Sequence, residues 1–240
     1  MVNGITCWVF DADDTLWESA GFFRDAENSF VLLMENLGFP EDRVRNEVHR
    51  RDIERLSVTG YGPGPYIETL RTIITDFVEK PAAGTLSALE SIRYRLVNHP
   101  VTLFPGVLPT LESLADMGHR LILYTMGEKA HQEDKYEKSG LSHLFEDCVV
   151  VPRKTPESLE RLLDSLGVNP GEVCVVGNSP RSDIAPALQC GVNAIFVKRQ
   201  MTWPAEHQDI PVTRLLATVS GISEIQVLLR PDRTGGQWNS

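Results

Sequence analysis

Basic side chains are scarce in this sequence. Its 23 Lys and Arg stand against 33 Asp and Glu, a formal net charge of −10. Nucleic acid polymers and anionic membranes are bound through a positive face, so neither is expected as a partner. Long apolar runs are missing too, and nothing approaches the roughly 20 apolar residues needed to span a bilayer. Met1 leads almost directly into a strand-like segment, without the basic and apolar regions of an export signal. Cysteine is sparse, at 4 in 240 residues, and shows no zinc spacing. Cys7, Cys148 and Cys174 lie in apolar runs, as buried free thiols do in a reducing compartment. These deficits predict a soluble, cytoplasmic protein, and its 42% hydrophobic residues suffice for one large domain or two modest ones.

The densest signal is the run Ile5 to Trp17, ITCWVFDADDTLW, where a short apolar strand empties into three carboxylates. Ile5, Cys7, Trp8, Val9 and Phe10 form the nearly unbroken apolar pattern of a strand buried on both faces, which implies a parallel α/β sheet. Asp11, Asp13 and Asp14 then sit at its carboxyl end, where open α/β sheets hold ligands. Acids this close repel unless something neutralises them, and a hard divalent cation such as Mg²⁺ takes oxygen ligands of this kind.

From Glu18 to His99 the periodicity is helical. Phe22, Ala26, Phe30, Leu33 and Leu37 mark one helix, and Glu41 to Ser57 a charged one with a thin stripe of Val44 and Val48, extended by Ile53 and Leu56. Thr59 to Tyr66, TGYGPGPY, reads as a turn that breaks the helix, followed by helices through Phe77 and from Thr85 to Val97. No strand is expected there. Beyond Pro100 strands and helices alternate. Strands are expected at Arg120 to Thr125, Cys148 to Val151, Val173 to Val176 and Ala194 to Val197, with a last helix over Ser220 to Leu229. The fold class is therefore α/β, a Rossmann-like, doubly wound parallel sheet with an inserted all-helical domain. The expected division is 1–16 with 100–230 as the α/β core, 17–99 as the helical insert and 231–240 as a disordered, Gly-rich tail.

Three later strand ends carry polar groups suited to a phosphate. Thr125, Met126 and Gly127 offer a hydroxyl and backbone donors. Lys154, with Arg153 as a competing candidate, offers a fixed cation just before Thr-Pro-Glu, a good helix opening. Gly177-Asn178-Ser179 through Asp183 closes the set with the Asn178 amide and the Asp183 carboxylate just past a strand end.

With D-x-D-x-T at Asp11 to Thr15 and three further blocks in order, the chain resembles the haloacid dehalogenase superfamily of aspartyl-nucleophile phosphotransferases. It departs from the family's fourth motif, G-D-S-x-x-x-D, by Asn178 in place of the first acid. The resemblance implies that the helical insert is a cap over the active site, with Thr59 to Tyr66 its part nearest that site. It also implies that Asp11 attacks phosphorus while Asp13 protonates the leaving alcohol and then activates water. Mg²⁺ would be bound by Asp11, the Asp13 main-chain carbonyl, Asn178 and Asp183, with Thr125, Met126 and Lys154 holding the phosphoryl group. A neighbouring carboxylate is expected to raise the pKa of Asp13 toward the range an acid needs.

The expected activity is Mg²⁺-dependent hydrolysis of a small phosphorylated metabolite. Asp13 disfavours dehalogenase and phosphonatase relatives, which resemble the pattern at Asp11 but lack an aspartate two residues on. A sugar phosphomutase and a non-catalytic phosphate-binding module are the alternatives, the latter favoured by Asn178 alone. Tyr61 and Tyr66 are candidates for substrate contact or for packing between helices, and Trp17 for the cleft rim or the core. Monomer and homodimer both remain open.

Overall fold

Six strands, five of them apolar runs, form one all-parallel sheet in a computed structural model that describes residues 4–199, 203 and 206–229. The strands are β1 (Cys7–Phe10), β2 (Arg120–Met126), β3 (Asp147–Val151), β4 (Val173–Gly177), β5 (Asn193–Val197) and β6 (Leu216–Val219), in the order β3-β2-β1-β4-β5-β6. β1 lies at the centre, with Phe10 opposite Leu123 of β2 and Val176 of β4. All four of its residues are buried, as a central parallel strand requires. The chain winds outward on one side through β2 and β3 and on the other through β4 to β6. The order reverses between β1 and β4, which makes their carboxyl ends the crevice for a ligand.

Between the strands run α5 (Val107–Asp116), α6 (Lys129–Lys138), α7 (Pro156–Leu166), α8 (Ala185–Gln189) and α9 (Ile225–Leu229). β6 is absent from the expected strands. This edge strand is short, buries only alternate residues and exposes Thr218, so Leu216 to Val219 lacks the continuous apolar run of its neighbours. The expected final helix is split into a 3₁₀ turn, Ile222–Glu224, and the short α9. The expected tail from residue 231 lies outside the described residues.

The described residues fall into two units. The one that holds the sheet comprises Met1–Glu18, Val101–Met126 and Gln132–Ser240; the other comprises Ser19–Pro100 and Gly127–His131. The second is helical, built from α1 (Ala20–Asn36), α2 (Glu41–Thr59), α3 (Pro63–Phe77) and α4 (Ala83–Val97), with no strand among its described residues. Phe30, Met34, Leu70, Ile73, Ile74 and Leu89 fill its core. The Gly/Pro block is shorter than expected, because α3 already begins at Pro63. Proline is tolerated in a first helical turn, whose N–H groups have no helical partner. Tyr66 is buried and packs edge-on against Phe23, the packing alternative.

The thin stripe of α2 continues differently from expectation. Val44 and Val48 are buried, but Ile53 is exposed and Asp52, one helical turn beyond Val48, takes the inward place. Burial pushes the Asp52 carboxyl up to about 7, with His49 pulling against the rise and Glu27 adding to it. A carboxyl raised above its unfolded value costs nothing below the unfolded pKa and its full penalty above the folded one. Asp52→Asn should therefore gain stability over the wild type as pH rises from about 4 to about 8, by up to about 4 kcal/mol. Urea denaturation of both proteins across that range reads it, and a constant difference would contradict it.

Candidate active site

The loop after β1 is tied down from several sides. The Asp11 N–H donates to the Val176 carbonyl of β4 at 2.9 Å, and the Leu16 N–H returns to the Ala12 carbonyl at 2.8 Å. Asp14 adopts φ 59°, a left-handed conformation that Asp tolerates better than most side chains. Arg199, just past β5, donates to the carbonyls of Asp14 at 2.6 Å and Thr15 at 2.8 Å, with its guanidinium 3.6 Å from the Phe104 ring centre. The loop that presents Asp11 and Asp13 is thus hydrogen-bonded on both flanks.

Lys154 is the electrostatic node. Its buried ammonium donates to Asp11 Oδ1 at 2.5 Å and to Asp183 Oδ1 at 2.7 Å. Arg153 is exposed, so of the two cations it is Lys154 that meets the acids. Burial alone would lower the Lys154 pKa, but Asp11 and Asp183 outweigh it and hold the ammonium above its ordinary value. Burial and the charge of Asp11 push Asp183 well above the usual carboxylate range, against the pull of Lys154 and the Ser179 N–H, which donates to Asp183 Oδ2 at 2.9 Å. Asp183 lies so close to Gly177 that a methyl group there would overlap its carboxylate, which is why glycine ends β4.

Asp13 stands among donors that its motif does not announce. Lys135 of α6 donates to both its oxygens, at 2.5 and 2.7 Å, Gln132 to Oδ2 at 2.9 Å, and the indole of the fully buried Trp17 to Oδ1 at 2.8 Å. Burial would raise this carboxyl, yet Lys135 and the hydrogen bonds from Gln132, Lys135 and Trp17 prevail and bring it down to about 2. The expected rise is thereby corrected: the charge that decides is a lysine, not the neighbouring acid. Gln132 and Lys135 sit three residues apart on one helix face, but α6, KAHQEDKYEK, is polar all round and no apolar stripe marks which face turns inward.

Thr125 is buried at the end of β2 and Met126 follows, its carbonyl accepting from Gln132 at 3.0 Å. At the β4 end the Asn178 amide meets the β1 loop. Its nearer terminal atom lies 3.1 Å from Thr15 Oγ1, 3.2 Å from the Asp13 carbonyl oxygen and 3.3 Å from Asp11 Oδ2, while Thr15 Oγ1 donates to Asp11 Oδ2 at 2.8 Å. With the amide oxygen in that position, it joins the Asp13 carbonyl and an Asp11 carboxylate oxygen in a set of hard oxygen donors, the kind that Mg²⁺ takes. Turned over, the NH₂ group bonds the same acceptors by itself. Among the described residues no cluster of three or more His, Cys, Asp and Glu side chains is arranged to hold a metal.

A glyceraldehyde 3-phosphate phosphatase of Methanothermobacter thermautotrophicus is 29% identical over 228 residues, covering 92% of this chain and 97% of its own. An (S)-2-haloacid dehalogenase of Burkholderia cepacia is 27% identical over 249 residues, covering 98% of this chain and 99% of its own. The crystal structure of a haloacid dehalogenase-like family hydrolase from Xanthomonas campestris superposes with a TM-score of 0.82 at 27% identity, covering 94% of this chain and 95% of that one. The family model for haloacid dehalogenase-like hydrolases matches residues 5–191, a span that includes β1 through α8 and every acid and lysine of the site. A parallel sheet with Asp11 at its switch point, Lys154 bridging Asp11 to Asp183 and a family match across most of its length agree, and the chain belongs to the haloacid dehalogenase-like hydrolases.

Proposed function

We propose that this protein hydrolyses small phosphate monoesters with Mg²⁺, through a phosphoryl group carried on Asp11. The observation that carries the reading is the Lys154 ammonium held between Asp11 and Asp183 at 2.5 and 2.7 Å, beside a second aspartate, Asp13, on the same loop. A carboxylate attacks a phosphate dianion only where positive charge brings the anions together, and Lys154 supplies it at the nucleophile itself. In the first step an Asp11 oxygen bonds to phosphorus as the ester P–O bond breaks, and the leaving alcohol takes up a proton. In the second, water attacks that phosphorus, the bond to Asp11 breaks, and phosphate leaves with Asp11 restored. Asp13 is assigned both proton transfers: in its protonated form it donates to the leaving alcohol, and the anion so formed, held by Lys135, Gln132 and Trp17, accepts one from the attacking water, which restores the donor. Thr125 and the main chain at Met126 are assigned to the phosphoryl oxygens.

Asp11, the Asp13 carbonyl, Asn178 and Asp183 are assigned to Mg²⁺, which when bound supplies charge neutralisation at the phosphoryl oxygens. Asn178→Asp adds a charged ligand and should tighten Mg²⁺ binding by about tenfold or more by calorimetry; unchanged affinity would remove Asn178 from the ligand set. Relatives of this chain carry both phosphatase and dehalogenase names. Asp13 favours the former, because a dehalogenase needs no acid two residues past its nucleophile. The helical unit and its α3 start are assigned to substrate choice. The test is phosphate release from a panel of sugar, nucleoside and small-acid phosphomonoesters, with Mg²⁺ and with excess chelator. Metal-dependent release supports the reading; no release from any ester, with chloride released from a 2-haloacid, overturns it.

A further inference from the structure

We infer that Lys135 is a positioning residue for the hydrolytic half of the reaction, fixing the Asp13 carboxylate as the acceptor for the attacking water's proton. The inference rests on the two-step reading above and adds to it a residue outside the motifs that carry the family resemblance. Four hydrogen bonds reach the Asp13 carboxylate, two from Lys135 and one each from Gln132 and Trp17, and every one is donated to it. Lys135 alone engages both oxygens, so it sets the plane of the carboxylate as well as its position. Its side chain is 3% exposed while that of Asp13 is 28% exposed, so the lysine is spent on this contact and the carboxylate keeps an open edge for water.

Gln132 supports the same arrangement from one turn earlier. Its amide nitrogen bridges Asp13 and the Met126 carbonyl, which couples the acid to the end of β2. Its amide oxygen is buried with no hydrogen-bond partner among the described residues, and a water is the natural donor to such an acceptor. Lys138, one turn beyond Lys135, is half-exposed and pairs with Asp134 on its own helix, and so serves as the control cation.

An aryl phosphate isolates the step. Nitrophenolate leaves without protonation, so with p-nitrophenyl phosphate the service of Asp13 is confined to the attack of water on the phosphorylated enzyme. Lys135→Met should cut kcat on this ester by about a hundredfold, the scale of a general-base contribution, and slow water attack enough for a burst of nitrophenol to appear before steady state. Lys135→Arg should recover most of kcat and lose the burst, and Lys138→Met should behave as wild type. A Lys135→Met enzyme with unchanged kcat, or with a lower kcat and no burst, would overturn the inference, since general loosening slows formation of the phosphorylated enzyme as well. If Lys135→Met does not fold, Lys135→Gln, which keeps one donor, is read by the same two quantities.

Failure of the phosphatase reading itself has a separate signature, namely a wild-type protein that releases no nitrophenol. The indole N–H resonance of Trp17, assigned through Trp17→Phe, then decides on the positioning role. Displacement of that resonance in Lys135→Met but not in Lys138→Met supports it. An unmoved resonance in both overturns it.

Discussion

Asp11→Asn is expected to keep the fold and to lose turnover of every ester by about a thousandfold or more, the scale of removing a covalent nucleophile. The amide occupies nearly the same volume, its one oxygen can still accept from Lys154 and its NH₂ can donate to the Thr15 hydroxyl, so circular dichroism and thermal midpoint should stay close to those of the wild type. What disappears is the negative, nucleophilic oxygen that Lys154 holds at 2.5 Å. Steady-state phosphate release, with the fold checked in parallel, reads the effect. Residual activity within about tenfold of wild type would assign the nucleophile elsewhere.

Lys154→Met is the second large change, and it acts on stability as well as on catalysis. The lysine bonds to one oxygen of Asp11 and one of Asp183, which places those oxygens no more than about 5 Å apart. Two anions at that separation repel by about 3 kcal/mol at an effective dielectric of ~20. Removal of one partner from a buried ion pair costs about the same or somewhat more. Burial and Asp11 already hold the Asp183 pKa high, and loss of the ammonium raises it further. A carboxyl with a folded pKa above its unfolded value destabilises increasingly as pH rises. The variant should therefore lose about 3 kcal/mol near pH 8 and much less near pH 5, where Asp183 takes up a proton. Urea denaturation at the two pH values reads this. An equal loss at both would mean that the penalty is one of packing, and that Lys154 is not the charge that holds the two acids together.

How far the sequence alone reaches depends on how each residue is held. Asp11, Lys154 and Asp183 are conspicuous because each follows the end of an apolar strand, β1, β3 and β4 in turn, and parallel strands end on one edge of the sheet by topology. The class of the fold follows from the same alternation of buried strands and amphipathic helices. Lys135 and Gln132 leave no such mark: their helix is polar on every face, and which face turns inward is decided by Asp13, 122 residues earlier for Lys135. Trp17 was legible only as an aromatic of undecided place, and it serves two ends, filling the core with its rings and orienting Asp13 with its N–H. β6 stays hidden because Leu216 to Val219 buries only alternate residues and carries no continuous apolar run. Asp52 did have a visible signal, the four-residue spacing from Val44 through Val48, but hydrophobic pattern matching passes over an acid at the inward position.

The central claim is that phosphorus is transferred to Asp11, and trapping that bond tests it most directly. The enzyme is mixed with a turned-over phosphomonoester and Mg²⁺, quenched within a single turnover, reduced with borohydride and digested for mass spectrometry of the peptide that spans Ile5 to Trp17. An acyl phosphate at Asp11 is reduced to homoserine, and the account predicts that conversion at position 11 alone, in proportion to substrate and absent with chelator. Efficient metal-dependent phosphate release with Asp11 unmodified, or with the reduced residue at Asp13 or Asp183, would contradict it.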